Sequence, residues 1–178
     1  VPANRQWNSS GFKLLLQDRS IASDAFKQDR DYGLDIFGKP FDGHMEYHAA
    51  VFRGAGQNPL KTYGKDENID NELLYVLTAR YYPFGWYNSY NLATGWDETD
   101  LKYEEKFKAV IGASAVYNGK EKDKKLADTD SIIGNVDLGM RYSGFTWDSE
   151  YYIRENDLED DGDSITSDGF YTQAGCFV

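Results

Sequence analysis

The chain has 178 residues and a net charge of −11, with 14 Tyr, 10 Phe, 4 Trp and 17 Gly. That length fits one domain able to bury a core, and the acidic balance argues against a nucleic-acid partner, because a net anion is repelled by a phosphate backbone. No run approaches the about 18 apolar residues of a membrane helix and none reads as a signal peptide, yet β-strands of roughly 9–11 residues cross a bilayer with only every second residue apolar.

The chain starts abruptly at Val1-Pro2-Ala3-Asn4, which reads either as an end left by removal of a leader or as the start of a piece of something longer. "GFKLLLQD" offers a strand whose Leu14-Leu15-Leu16 run breaks strict alternation. "YGLDIFGKPFDGHMEYHAAVFRGAG", residues 32–56, alternates apolar and polar residues on both sides of Pro40-Phe41-Asp42-Gly43, as a β-hairpin does. "NELLYVLTARYY" follows, with Tyr75, Leu77, Ala79 and Tyr81 on one face and Leu74, Val76, Thr78, Arg80 and Tyr82 on the other. "KFKAVIGASAVYNG" sets Ile111, Ala113, Ala115 and Tyr117 against Lys106, Lys108, Val110, Gly112 and Ser114. "GNVDLGMRYSGFTWDSEYYIREN" holds two strands around a Ser143-Gly144 turn, and "GFYTQAGCFV" closes the series. Period-two counting therefore predicts seven strands, with an eighth at "GFKLLLQD".

The connections alternate between tight turns and long polar loops at 54–70, 119–130 and 156–168. The link at 83–104 is longer than its place in the series predicts, and its Trp86, Tyr87, Tyr90 and Trp96 are expected to extend the flanking strands. Two unlike ends are the layout of an up-and-down antiparallel sheet, and of outer-membrane barrels in particular.

Sidedness sharpens this reading. One face carries moderate apolar residues fringed by Tyr47, Tyr75, Tyr81, Tyr117, Tyr142, Trp147, Tyr151 and Phe170. The other carries Asp35, Glu46, His48, Arg80, Lys106, Lys108, Asp137, Arg141, Asp148, Glu150 and Arg154. A face so charged is expected to line water rather than to pack, whereas the apolar face with its aromatic fringe suits lipid and its interface. The expected fold is an all-β, antiparallel, up-and-down transmembrane β-barrel. The alternative is a soluble β-barrel or β-sandwich that binds glycans with its Tyr and Trp residues.

"SSGFKLLLQDRSIASDAFKQDRDYGLDIFG", "EYHAAVFRGAGQN", "SGFTWDSEYYIREN" and "GFYTQAGCFV" resemble, in order and over nearly all of the chain, the phosphate-selective porins of the O and P type. The resemblance implies a sixteen-stranded outer-membrane barrel of a Gram-negative bacterium, usually a homotrimer, in contact with the lipid bilayer and lipopolysaccharide. It implies passive diffusion of small hydrophilic solutes or ions, with anions and phosphate as the family's preference, and no enzyme activity. Residues 1–178 would then be one partial barrel domain, with residues 1–30 the segment that folds inward and narrows the channel. A rival reading keeps the chain complete, as eight strands closed around a filled interior.

A pore works by radius and field, so the candidate residues are charged. Arg19, Lys27 and Arg30 belong to the inward-folding segment, and Arg80, Lys106, Lys108, Arg141 and Arg154 stand on the polar face. Guanidinium groups pair with phosphate oxygens through two hydrogen bonds, although each of these cations also has carboxylates within reach along the chain. The family's arginine ladder and lysine cluster have no counterpart in this sequence, which puts phosphate selectivity in doubt. "DLEDDGDSITSD" sets Asp157, Glu159, Asp161, Gly162 and Asp168 at the spacing of a calcium loop, but between strands and with Asp where Glu is usual. Apart from that weak calcium candidate no cofactor is expected. His44 and His48 share a strand face roughly 13 Å apart, too far to hold one metal. Cys176 is the one cysteine, so no disulfide forms within the chain, and it reads as a small residue on a strand.

Overall fold

A computed structural model describes residues 14–16, 19–26, 31–53, 73–86, 100, 103–121, 129–158 and 164–177. The protein is all-β apart from one short helix, α1 (Ile21–Phe26). Its strands are β1 (Gly33–Gly38), β2 (Met45–Phe52), β3 (Leu74–Tyr81), β4 (Lys108–Glu121), β5 (Thr129–Tyr142), β6 (Phe145–Leu158) and β7 (Ser164–Cys176). They form a single antiparallel sheet in sequence order, β1 to β7, so every strand pairs with its neighbours along the chain. Seven strands are those that period-two counting predicts. Among the described residues the sheet is open, with β1 at one edge and β7 at the other.

Leu14–Leu16 do not form the expected eighth strand; Leu15 instead approaches Gly175 of β7, where an added Cβ would meet Leu15 Cδ1 at 2.5 Å. Three adjacent leucines break the two-sided alternation of a half-buried strand; Leu15 packs against β7 while Leu16 stays exposed. Trp86 does not extend β3: the strand ends at Tyr81 and the chain turns at Pro83 and Phe84. Proline lacks the N–H that a ladder would need. Tyr87, Tyr90 and Trp96 lie outside the described residues.

The turns follow from local chemistry. Tyr142 pairs with Phe145, leaving Ser143 (φ 48°) and Gly144 (φ 82°) as a two-residue connection with both residues left-handed. That is the turn whose twist matches the flanking strands, and glycine reaches it without steric cost. The β1–β2 connection is wider. Phe41, Asp42 and Gly43 all take positive φ, and the His44 and Met45 N–H groups donate to the carbonyls of Phe41 and Pro40. Asp100, buried in the β3–β4 link, accepts from the N–H groups of Glu104 and Gly144 and so ties that link to the β5–β6 turn.

Alternation along β3 is complete: Leu74, Val76, Thr78 and Arg80 are buried, while Tyr75, Leu77, Ala79 and Tyr81 are exposed. Across β2–β6 the buried face is the one that carries the charged residues. Asp137 is 0% exposed, Glu150 1% and Arg141 2%, whereas Leu77 on the opposite face is 61% exposed. This overturns the expectation that so charged a face cannot pack: Arg80 and Arg141 are each buried beside a carboxylate.

The buried face is banded rather than uniformly polar. Toward the long-loop end Ala50, Leu74, Val76, Val116 and Ile133 form an apolar cluster with Tyr152 and with Phe26 of α1. Phe26 stacks on Tyr152 with ring centroids 5.4 Å apart, and the Arg154 guanidinium lies over the same Phe26 ring at 5.2 Å. The helix thus sits against the polar face at β6 and β7.

Candidate functional site

The site is built from strand register. Glu46, Arg80, Gly112, Asp137, Glu150 and Tyr171 stand in one cross-strand row from β2 to β7. Arg80 on β3 reaches past β4 to donate from Nε to Asp137 Oδ1 on β5 at 3.2 Å. What lets it do so is Gly112, whose missing side chain leaves the space that the Asp137 carboxylate occupies. Nearer the short turns, Arg141 Nη2 faces Asp148 Oδ2 at 3.7 Å. Buried charges carry a desolvation cost of several kcal/mol each unless a counter-charge and hydrogen bonds offset it. Here Arg80 meets Asp137 across β4 and Arg141 meets Asp148 across the β5–β6 pair, while Asp137 and Glu150 stand side by side and Glu150 is met by the Tyr152 hydroxyl; these pairings offset part of the cost of burying the face.

The row continues at its β2 end. Glu46 Oε2 accepts from the Tyr82 hydroxyl at 2.9 Å, and Glu46 Oε1 faces His48 Nε2 at 3.3 Å. His48 Nδ1 in turn lies 2.9 Å from Asp35 Oδ2 on β1, and its ring stacks on Phe37. Lys39, in the β1–β2 connection, sits over the Trp86 ring at 3.7 Å. Burial holds its ammonium below the ordinary lysine range, with Glu46 opposing that shift. The Tyr152 hydroxyl donates to Glu150, and the Thr78 hydroxyl to Ser114 at 3.0 Å.

The charged residues singled out by sequence fall into three groups. Arg80 and Arg141 are inside the paired wall just described. Lys108 lies on β4 beside Arg141 and donates to the Phe84 carbonyl at 2.7 Å, while Arg154 donates to the Ala25 carbonyl of α1 at 3.2 Å. Lys106 is off the sheet, exposed in the bend before β4. Arg19 precedes α1 and is partly buried, and Lys27 and Arg30 lie outside the described residues.

The calcium-loop candidates are not brought together where they are described. Asp157 pairs with Ser164, whereas Asp168 pairs with Ile153, four residues further along the ladder and roughly 13 Å away at strand spacing. Glu159, Asp161 and Gly162 lie outside the described residues. Among the described residues no group of three or more His, Cys, Asp or Glu is placed to hold a metal ion.

Sequence reasoning missed three things here. Gly112 reads as an ordinary strand glycine until its register beside Asp137 is known. His48 stands on the polar face with Asp35 and Glu46 in sequence, but its direct contact with both, one from β1 and one from its own strand, emerges only from the register. Asp100 carries no signal in a link of irregular length. Comparison with family models, with curated proteins and with solved structures returns no match for this chain.

Proposed function

We propose that the chain forms part of the wall of a Gram-negative outer-membrane β-barrel of the phosphate-selective porin type, a passive channel for small hydrophilic solutes and ions. The observation that carries this reading is the inverted sidedness of the sheet, ionic groups buried on one face and large apolar groups exposed on the other. Leu77, Ile111, Val136, Leu138 and Ile153 stand together on an open sheet face, the kind of contiguous apolar patch that marks contact with a partner or a membrane.

The exposed face also has the internal order of a membrane wall. Tyr75 and Tyr117 sit side by side near the long loops, ring centroids 6.3 Å apart and beside Ile132 of β5. Tyr142 and Phe145 sit at the short-turn end; between the two ends lie Leu77, Ile111, Ala113, Val136 and Leu138 on β3–β5, with Tyr151 and Phe170 continuing the row of Val136 on β6 and β7. From Ile132 to Tyr142 is ten residues of strand, about 33 Å, which at a tilt of roughly 35–45° spans the apolar band of about 25 Å that such barrels show. Strands β4–β7, at 13 or 14 residues, are long enough to cross.

The wall's cations do not form a ladder for anions. Arg80 and Arg141 each face a carboxylate, and Glu46, Asp137, Asp148 and Glu150 balance or exceed them on the same face. The proposed cargo is therefore small hydrophilic solutes and ions in general, with phosphate preference the family's property rather than one this wall supplies. Trimeric assembly and contact with lipopolysaccharide belong to the same proposal. Single-channel recording of the full-length protein in a planar bilayer, with reversal potential under a salt gradient, tests it. Stepwise conductance is expected; a protein that stays soluble and monomeric without detergent and never inserts sinks the reading in favour of a soluble glycan-binding sheet.

A further inference from the structure

We propose that His48 is a proton-controlled charge on the inner wall, setting the ion preference of the channel through a bridge between Asp35 of β1 and Glu46 of β2. The inference rests on the channel reading above. Its basis is that both ring nitrogens face carboxylate oxygens, Nδ1 at 2.9 Å from Asp35 Oδ2 and Nε2 at 3.3 Å from Glu46 Oε1. An ionised carboxylate only accepts, so both nitrogens must donate, and only the imidazolium carries two N–H groups. Glu46 is held as an acceptor on its other oxygen too, by the Tyr82 hydroxyl at 2.9 Å.

The groups around the bridge are Asp35 from β1, Glu46 from the same strand as His48, Arg80 and Tyr82 on the β3 side of Glu46, and Lys39 from the β1–β2 connection. Loss of the proton turns one ring nitrogen into an acceptor aimed at an acceptor. That arm opens, and the wall loses a positive charge between two carboxylates. The Phe37 ring stacked on the imidazole keeps it in place while its charge changes. Arg80 and Arg141 on the same face already meet carboxylates, so the wall's charge balance is sensitive to one such unit. The channel therefore becomes more cation-preferring as pH rises through the titration of His48.

The experiment is reversal potential under a KCl gradient, for the full-length protein in planar bilayers between pH 5.5 and 9 in steps of about half a unit, beside His48→Gln and Asp35→Asn. The wild type is expected to shift toward potassium as pH rises. His48→Gln is expected to lose that shift and to stay at the high-pH value, and Asp35→Asn to move its midpoint to lower pH. A His48→Gln channel with the wild-type pH dependence overturns the proposal. Nitrogen-15 spectra of the histidine rings in detergent, assigned by comparison with His48→Gln, give a second readout. Two N–H signals from His48 at pH 7 support the bridge, and a neutral tautomer refutes it. Absence of wild-type conductance at every pH sinks the channel reading, and the ring spectrum alone then decides the bridge.

Discussion

Arg80 meets Asp137 across a strand that carries no side chain at the crossing point. A Cβ on Gly112 would stand 2.5 Å from both Asp137 carboxylate oxygens, closer than real contacts allow. Gly112→Ala is therefore expected to push Asp137 off Arg80 and to cost about 1–3 kcal/mol, the range for overpacking a filled interior. Gly134→Ala is the control, because its Cβ would meet only the Ile153 methyl at 3.1 Å. Urea unfolding in detergent micelles measures both, and equal losses would mean that the ion pair is not what Gly112 protects. The same residue shows the limit of sequence reading. Arg80 and Asp137 are 57 residues apart, and no period along the chain links them.

A six-residue helix does not hold together by its own hydrogen bonds, because nucleation costs more than so few turns return. α1 holds because Ser20 accepts the Ser23 N–H as its cap at 2.9 Å and because Phe26 is buried against Tyr152. Gly169 of β7 makes the space, since its Cβ would meet Phe26 Cε2 at 2.9 Å. Phe26→Ala is expected to release the element locally, lowering amide-exchange protection over Ile21–Phe26 by about thirtyfold or more, since roughly 2 kcal/mol of lost packing already corresponds to that factor and core Phe→Ala changes cost about 3–5 kcal/mol. Exchange in β4–β6 should stay as in the wild type. Loss of protection throughout the sheet would show that α1 is part of the core and not a separable cover. Sequence predicted an inward-folding segment here only through resemblance; no periodicity in residues 14–26 announces which strands receive it.

For the molecule as a whole, the decisive question is what the exposed apolar face touches. Val136 is exposed on β5 about halfway from Ile132 to Tyr142, beside Tyr151 of β6. If that face meets lipid, Val136→Arg is expected to cost about 2–4 kcal/mol in a bilayer, the depth-dependent cost of a cation at the midplane. If the face meets water, the same change stays within roughly 0.5 kcal/mol, as for most surface substitutions. Equilibrium unfolding in lipid vesicles separates the two outcomes. The open edges of β1 and β7 belong to this scale as well, because a membrane tolerates no unpaired strand edge. Lipid-facing function thus requires both edges to find partners.

The sequence by itself determined the order of the seven described strands and which side chains share a face, because each depends only on near neighbours: period two, turn chemistry at Ser143-Gly144, and hairpin succession. Tertiary structure alone decided what the polar face does. Whether Arg80, Asp137, His48 and Glu46 stand in water or pair with one another depends on register across three to five strands, and a shift of one residue would reverse every assignment. The apolar band around Val76, Val116 and Ile133, and its cover by Phe26, were invisible for the same reason. Alternation places a side chain on a face, but only the completed sheet brings the partners that make that face a packed wall.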